Sequence, residues 1–341
     1  MSNLLAKTAR FVLLSGLFVF GATAAWAVCA PGPGPTGPGT GNLRLREAMD
    51  TDHDCKADYT VFRPENSVWY IAKSGGGFTY TQWGLATFDY TIPGDYDGDG
   101  KGDIAVWRDT DGNYYWLNSS DNSYNVIHFG QSGDEPIARD YDGDGKTDLA
   151  VIRRSNGNMV WYIRPSSGDG SYTGTFWGLS TDFATPGDYD GDGKFDLSVQ
   201  RPGPTPTSPS IFYTLNSSNG QSTYTYWGLS SDLVVPGDYD GDGKTDYAIV
   251  REGATPSSNL EWYIQKSSSS TGDYIYFKWG LTGSDINCQN DYDGDGITDI
   301  AVWRDTDGIF YVLTMGPPGP SVIHYRWGQA NDFPVAGYDT H

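Results

Sequence analysis

Basic side chains, cysteine and histidine are scarce in this chain, and a long apolar run occurs only once. The 341 residues hold 22 Lys and Arg against 43 Asp and Glu, a net charge of −21. Such a polyanion is a poor match for nucleic acid or an anionic membrane as its main partner. The four histidines (His53, His128, His324 and His341) are scattered, and only His128 and His324 share a repeat position. No nucleophile–base pairing, zinc-ligand spacing or phosphate-binding loop is found, which reads against an enzyme. Cys29, Cys55 and Cys288 form an odd set. No sustained helical period appears beyond the first 27 residues, which points to an all-β chain.

The one long apolar run lies at the start. Lys7 and Arg10 precede an apolar stretch from Phe11 to Phe20, and Ala25-Trp26-Ala27 is a small-x-small cleavage signal. Residues 1–27 therefore read as a signal peptide cleaved before Val28, with no membrane insertion afterwards. Residues 28–41 include PGPGPTGPGTG, which lacks a strict third-residue glycine period and reads as an extended linker. The fold is expected over residues 42–341, as an exported monomer that is extracellular, periplasmic or held at the cell surface. Calcium is plentiful there, so weak sites suffice.

What the chain has in abundance is aspartate at a fixed spacing. Asp95, Asp97, Asp99 and Asp103 occupy positions 1, 3, 5 and 9 of a loop. The same frame holds Asp140, Asp142, Asp144 and Asp148, then Asp188, Asp190, Asp192 and Asp196. It returns at Asp238, Asp240, Asp242 and Asp246, and at Asp291, Asp293, Asp295 and Asp299. A worn copy at Asp50, Asp52, Asp54 and Asp58 opens the series. Carboxylates so close repel unless a cation lies among them. Ca²⁺ takes six to eight oxygens, and glycine at position 6 allows the sharp turn. Position 7 offers a backbone carbonyl, from Lys101, Lys146, Lys194, Lys244, Ile297 and, in the worn copy, Lys56. The pattern predicts five good calcium sites and a sixth degenerate one, where His53 and Cys55 replace two glycines. Six Ca²⁺ ions would bring the net charge to about −9, ordinary for a soluble protein.

First aspartates recur every 45, 45, 48, 50 and 53 residues, a period of blades or arrays. Each repeat reads as four strands. A short one precedes the loop (Tyr90 to Pro93) and a second follows it (Asp103 to Arg108). A third comes after an Asp-Gly or Asn-Gly turn (Tyr114 to Leu117), and a fourth ends in an aromatic–Gly pair (Tyr124 to Gly130). Four-stranded units of this length are β-propeller blades. Six loops and six aromatic–Gly pairs predict six blades, seven being the alternative. The half-repeat Asn331 to Asp339 would close the ring, with Asn42 to Met49 competing for that place. Arg63, Arg108, Arg153, Arg201, Arg251 and Arg304 recur at one position. They read as structural arginines stacking on an aromatic ring or pairing with a loop carboxylate, rather than as an anion-binding ring. Cys55 and Cys288 fall on neighbouring blades, where a disulfide would latch the seam. Pairing of Cys29 with either, or free thiols, stays open.

The DxDxDGxxD frame, the x-x-V-x-R strand after it and the aromatic–Gly ending resemble the FG-GAP/VCBS repeat family of integrin-α-like propellers, over residues 42–341. The resemblance implies a propeller with structural calcium in the first hairpin of each blade, held by the 24 aspartates named. It does not fix a function. The expected one is a secreted calcium-binding module for adhesion, with a protein or glycan ligand. The alternatives are a polysaccharide hydrolase or lyase with its site at the propeller funnel, and a structural component of the cell surface.

Overall fold

The structure is a computed structural model and describes residues 49–336. The expected export signal, the expected linker, Cys29 and most of the strand expected over 42–49 lie outside the described residues. Those described form six four-stranded antiparallel sheets and no helix, arranged as a propeller of six blades. Blade II shows the plan, with strands Asp89–Thr91, Ile104–Arg108, Asn113–Leu117 and Tyr124–His128 in that spatial order. The second strands of blades III to VI are Leu149–Ser155, Leu197–Arg201, Tyr247–Arg251 and Ile300–Arg304. Blade I takes three strands from the start, Tyr59–Arg63, Val68–Ala72 and Phe78–Gln82, and its first from the end, Phe333–Pro334. Val61 pairs with Pro334 and Phe62 with Phe333, so the C-terminal strand closes the ring.

The sequence builds wedge-shaped gaps between blades and fills them with aromatic rings. Trp69, Trp107, Trp161, Trp262 and Trp303 are fully buried. Each removes about 150–250 Å² from water, worth about 4–6 kcal/mol at 25 cal/mol/Å². Their indole N–H groups donate to the carbonyl of the aromatic–Gly residue in the same blade, at 2.9–3.2 Å. Blade IV has no such tryptophan, and the Ser210 hydroxyl bonds the Trp227 carbonyl at 2.6 Å instead. The second strands are buried on both faces, and in blade IV this includes the polar Ser198 and Gln200.

The aromatic–Gly pairs staple one blade to the next. The indoles of Trp83, Trp177, Trp227, Trp279 and Trp327 donate to the carbonyls of Tyr115, Tyr213, Tyr263, Tyr311 and Tyr70, all in the following blade, at 2.9–3.3 Å. Blade II has Phe129 there and no donor to offer.

The recurrent arginines are structural: they stack on an aromatic ring as expected, but the carboxylate they pair with is not one of the loop aspartates. Each forms a two-pronged bond with the aspartate that leads into the first strand of its blade: Arg63 with Asp332, Arg108 with Asp89, Arg153 with Asp134, Arg201 with Asp182, Arg251 with Asp232 and Arg304 with Asp285. Each guanidinium also lies 4.0–4.8 Å above a third-strand tyrosine ring. The carboxylates belong to the strand entry and not to the metal-type loops. The clasp of Arg63 and Asp332 ties one end of the fold to the other.

The disulfide latch between Cys55 and Cys288 is not formed. Cys288 is a free, fully buried thiol packed in the core shared by blades I and VI. Cys55 is disulfide-bonded. The seam is held by strand pairing, the clasp and packing instead, and the Cys288 side chain faces apolar core.

A ring of six carboxylate loops

All six aspartate frames fold alike. The carboxylate at position 1 accepts the amides of positions 4 and 6, as Asp95 does from Gly98 at 2.6 Å and Gly100 at 2.8 Å. The glycines there have φ of 76–89°, a region costly for side chains. In the worn loop His53 and Cys55 adopt the same turn at φ 63° and 73°. Asp50 accepts their amides at 2.6 and 2.8 Å, so that loop keeps its shape without its glycines. Tyrosine at position 2 pins five loops to their first strands, as when Tyr96 donates its hydroxyl to the Ile92 carbonyl at 2.8 Å.

The aspartate at position 9 is held from two sides. Its Oδ2 accepts the position 2 amide, at 2.8 Å for Tyr96 and Asp103. Its Oδ1 accepts an amide from the turn between the third and fourth strands: Ser74, Ser119, Ser166, Ser217, Ser267 or Met315. That turn carries hydroxyls that reach the remaining carboxylates. Ser119 bonds Asp99 at 2.9 Å and Ser120 bonds Asp97 at 2.5 Å. The pairs Ser166 and Ser167, Ser217 and Ser218, and Ser267 and Ser268 repeat the arrangement. Reading the aspartates alone misses these serines. The signal was present as a Ser-Ser pair after four of the third strands.

These bonds leave carboxylate oxygens converging in six places among the described residues. In the first two loops the converging groups are Asp50, Asp52 and Asp54, then Asp95, Asp97 and Asp99. In the next three they are Asp140, Asp142 and Asp148; Asp188, Asp190 and Asp196; and Asp238, Asp240 and Asp246. One oxygen of each residue lies within 4.8 Å of the others. Burial pushes the carboxyls of Asp95 and Asp140 up to about 6 and those of Asp103, Asp148 and Asp188 up to about 7. It takes Asp246 to about 8 and Asp299 to about 9, with neighbouring aspartates adding to the rise. Oδ1 of Asp52 and of Asp190 are buried and accept no hydrogen bond. Hard oxygen donors, buried together and partly unsatisfied, fit a divalent cation.

The residues at position 7 do more than lend a carbonyl. Their amides bond the position 5 carboxylate at 2.9–3.1 Å, from Lys56, Lys101, Lys146, Lys194, Lys244 and Ile297. Lys146 also crosses to the neighbouring loop, where Nζ meets the Asp97 carbonyl at 2.9 Å. A backbone bond runs beside it. The position 8 amide of each loop donates to the position 1 carbonyl of the loop before: Gly102 to Asp50, Thr147 to Asp95, Phe195 to Asp140, Thr245 to Asp188, Thr298 to Asp238 and Ala57 to Asp291, at 2.7–3.0 Å. The last of these closes the circle. Contact is tight enough that a Cβ on Gly94 would fall 2.4 Å from the Thr147 hydroxyl.

No helix among the described residues is long and apolar enough to cross a membrane. Among solved structures, AofleA from Arthrobotrys oligospora is similar at 8% identity and a TM-score of 0.47, over 86% of this chain and 91% of that one. Its triple arginine-to-alanine mutant matches equally. The dihydro-heme d1 dehydrogenase NirN matches at 14% identity and a TM-score of 0.32, over 81% of this chain and 55% of that one. Among curated proteins no significant sequence match is found. Residues 140–199, which span the third and fourth carboxylate loops, match the family model of the FG-GAP-like repeat. The described residues form a six-bladed β-propeller, and within it residues 140–199 match the FG-GAP-like repeat.

Proposed function

We propose that the chain is a calcium-stabilised extracellular binding module, with a protein or glycan as its ligand. The calcium serves the fold. The observation that carries this reading is the convergence of buried carboxylates that the protein's own donors leave incompletely satisfied. The converging aspartates of each loop would hold the ion. The ion would supply the positive charge that lets those groups ionise together at neutral pH. Backbone amides and serine hydroxyls already hold the outward sides of the carboxylates, and each loop is bonded to its neighbours. That arrangement favours a structural ion over one bridging to a ligand. Binding of a cation to the folded state alone adds about 2.7 kcal/mol per site at 100 times Kd.

The test is thermal unfolding of the full chain with EDTA and after calcium is restored. A melting temperature that drops by 10 °C or more in EDTA and recovers with calcium is the expected outcome. Superimposable curves would refute the reading.

A further inference from the structure

Five of the six blade junctions carry the same indole staple, so an exposed departure from the pattern is informative. The residue before each aromatic–Gly pair is Gln82, His128, Phe176, Tyr226, Lys278 and Arg326 in turn. Of the two permanent cations, Lys278 is engaged by Glu261 at 2.8 Å. Arg326 faces Ile309 across its sheet and is exposed. It has no ion-pair or hydrogen-bond partner among the described residues.

Arg326 lines a groove of 740 Å³ at the seam of blades VI and I. Tyr70, Tyr80 and Trp327 form its walls, and Gln82 also lines it. The Tyr80 and Trp327 rings are nearly parallel, 16° apart with centroids at 6.3 Å. Tyr80 is 57% exposed. Trp327 is anchored through its indole to the Tyr70 carbonyl at 2.9 Å, so this surface is set before any ligand arrives. The groove's second guanidinium, Arg63, is consumed by Asp332. Arg326 is left to meet an anion.

We infer that this groove binds a saccharide carrying a carboxylate, such as a uronic acid unit. The inference rests on the binding-module reading and gives it a ligand class and a place. A pyranose has apolar C–H faces and a rim of hydroxyls. The faces suit the negative surface of the Tyr80 and Trp327 rings. The carboxylate suits the guanidinium fork of Arg326, and Gln82, whose amide nitrogen donates to the Asn66 carbonyl at 3.3 Å, presents its amide oxygen as an acceptor for a hydroxyl. The groove's volume is that of a small-ligand site.

The experiment is calorimetric titration of the calcium-loaded full chain with a hyaluronan tetrasaccharide, with cellotetraose as the neutral control. Saturable binding of the acidic probe alone is expected, falling at least tenfold in Arg326→Gln and in Tyr80→Ala. Both side chains are exposed, so both variants should melt as the parent does. Equal affinity for cellotetraose, or binding unchanged in both variants, would overturn the site, as would no saturable binding of either probe. A calcium-dependent melting temperature that persists in those cases would leave the calcium reading standing, and a ligand bound elsewhere would leave the module reading standing.

Discussion

Replacing Arg63 by methionine isolates the bond that ties the two ends of the fold. Its Nε and Nη2 meet the two oxygens of Asp332 at 2.6 and 2.8 Å. The Asp332 side chain is 0% exposed. Methionine keeps much of the apolar stem and removes the charge, stranding a buried carboxylate with the Gln329 amide as its donor. Breaking a buried pair in this way costs about 3–5 kcal/mol. The contact with Tyr70 at 4.0 Å adds roughly 0.5–1 kcal/mol. Urea unfolding followed by tryptophan fluorescence, with calcium saturating, reads the change. With a slope of about 3 kcal/mol/M, the midpoint falls by about 1.2–2 M. Arg153→Met, the same lesion inside blade III, should cost a similar amount. Lys278→Ala, which breaks an exposed pair with Glu261, should cost at most about 1 kcal/mol. Midpoints for Arg63→Met and Arg153→Met within about 0.3 M of the parent would refute the argument. Pairing Asp332→Leu with Arg63→Met should recover most of the loss, because no stranded charge remains.

Metal-stripped protein should be more stable at pH 5 than at pH 8. Folding raises the carboxyls of Asp103, Asp148 and Asp188 from 3.8 to about 7. The metal-free fold thus holds more protons than the unfolded chain, and stability is lost between pH 4 and 7. Calcium reverses the trend because the ion needs the carboxylates ionised; melting curves across pH with and without calcium check both signs. Alanine at both Ser119 and Ser120 should weaken calcium binding to the second loop about tenfold, seen by equilibrium dialysis at limiting calcium. Trp279→Phe removes an indole bond of 2.9 Å to the Tyr311 carbonyl and should cost about 0.5–1.5 kcal/mol by urea unfolding, the net worth of one hydrogen bond.

Much of the ring was legible in the sequence because its repeated parts obey local rules. Aspartate and glycine at fixed offsets dictate one loop, and the strands between them alternate or run apolar as blade strands must. The half-repeat ending at Val335 and Ala336 announced the closing strand. What stayed hidden depended on distance in space. The role of Arg63 was readable as structural, yet its partner lies 269 residues away. The serines over the carboxylates follow the position 9 aspartate by 16 residues in some blades and 21 in others, so no single spacing exposes them. Cys55 and Cys288 sat on adjacent blades as expected, but adjacency does not aim two thiols at one another. The worn loop's shape was also hidden. His53 and Cys55 forfeit the glycine signal, while amides bonded to Asp50 hold the same turn.

The bonds from position 8 to position 1 give this molecule a circuit with no first or last member. An open stack of repeats exposes a poorly supported unit at each end, where unravelling starts. Here the Ala57 amide meets the Asp291 carbonyl as Thr147 meets Asp95, so the junction of blades VI and I is bonded like the others in that circuit. The peptide link between two blades is then a matter of synthesis rather than of support. Joining the present ends and opening the chain between blades III and IV should yield the same closed object, with the seam moved and every clasp intact.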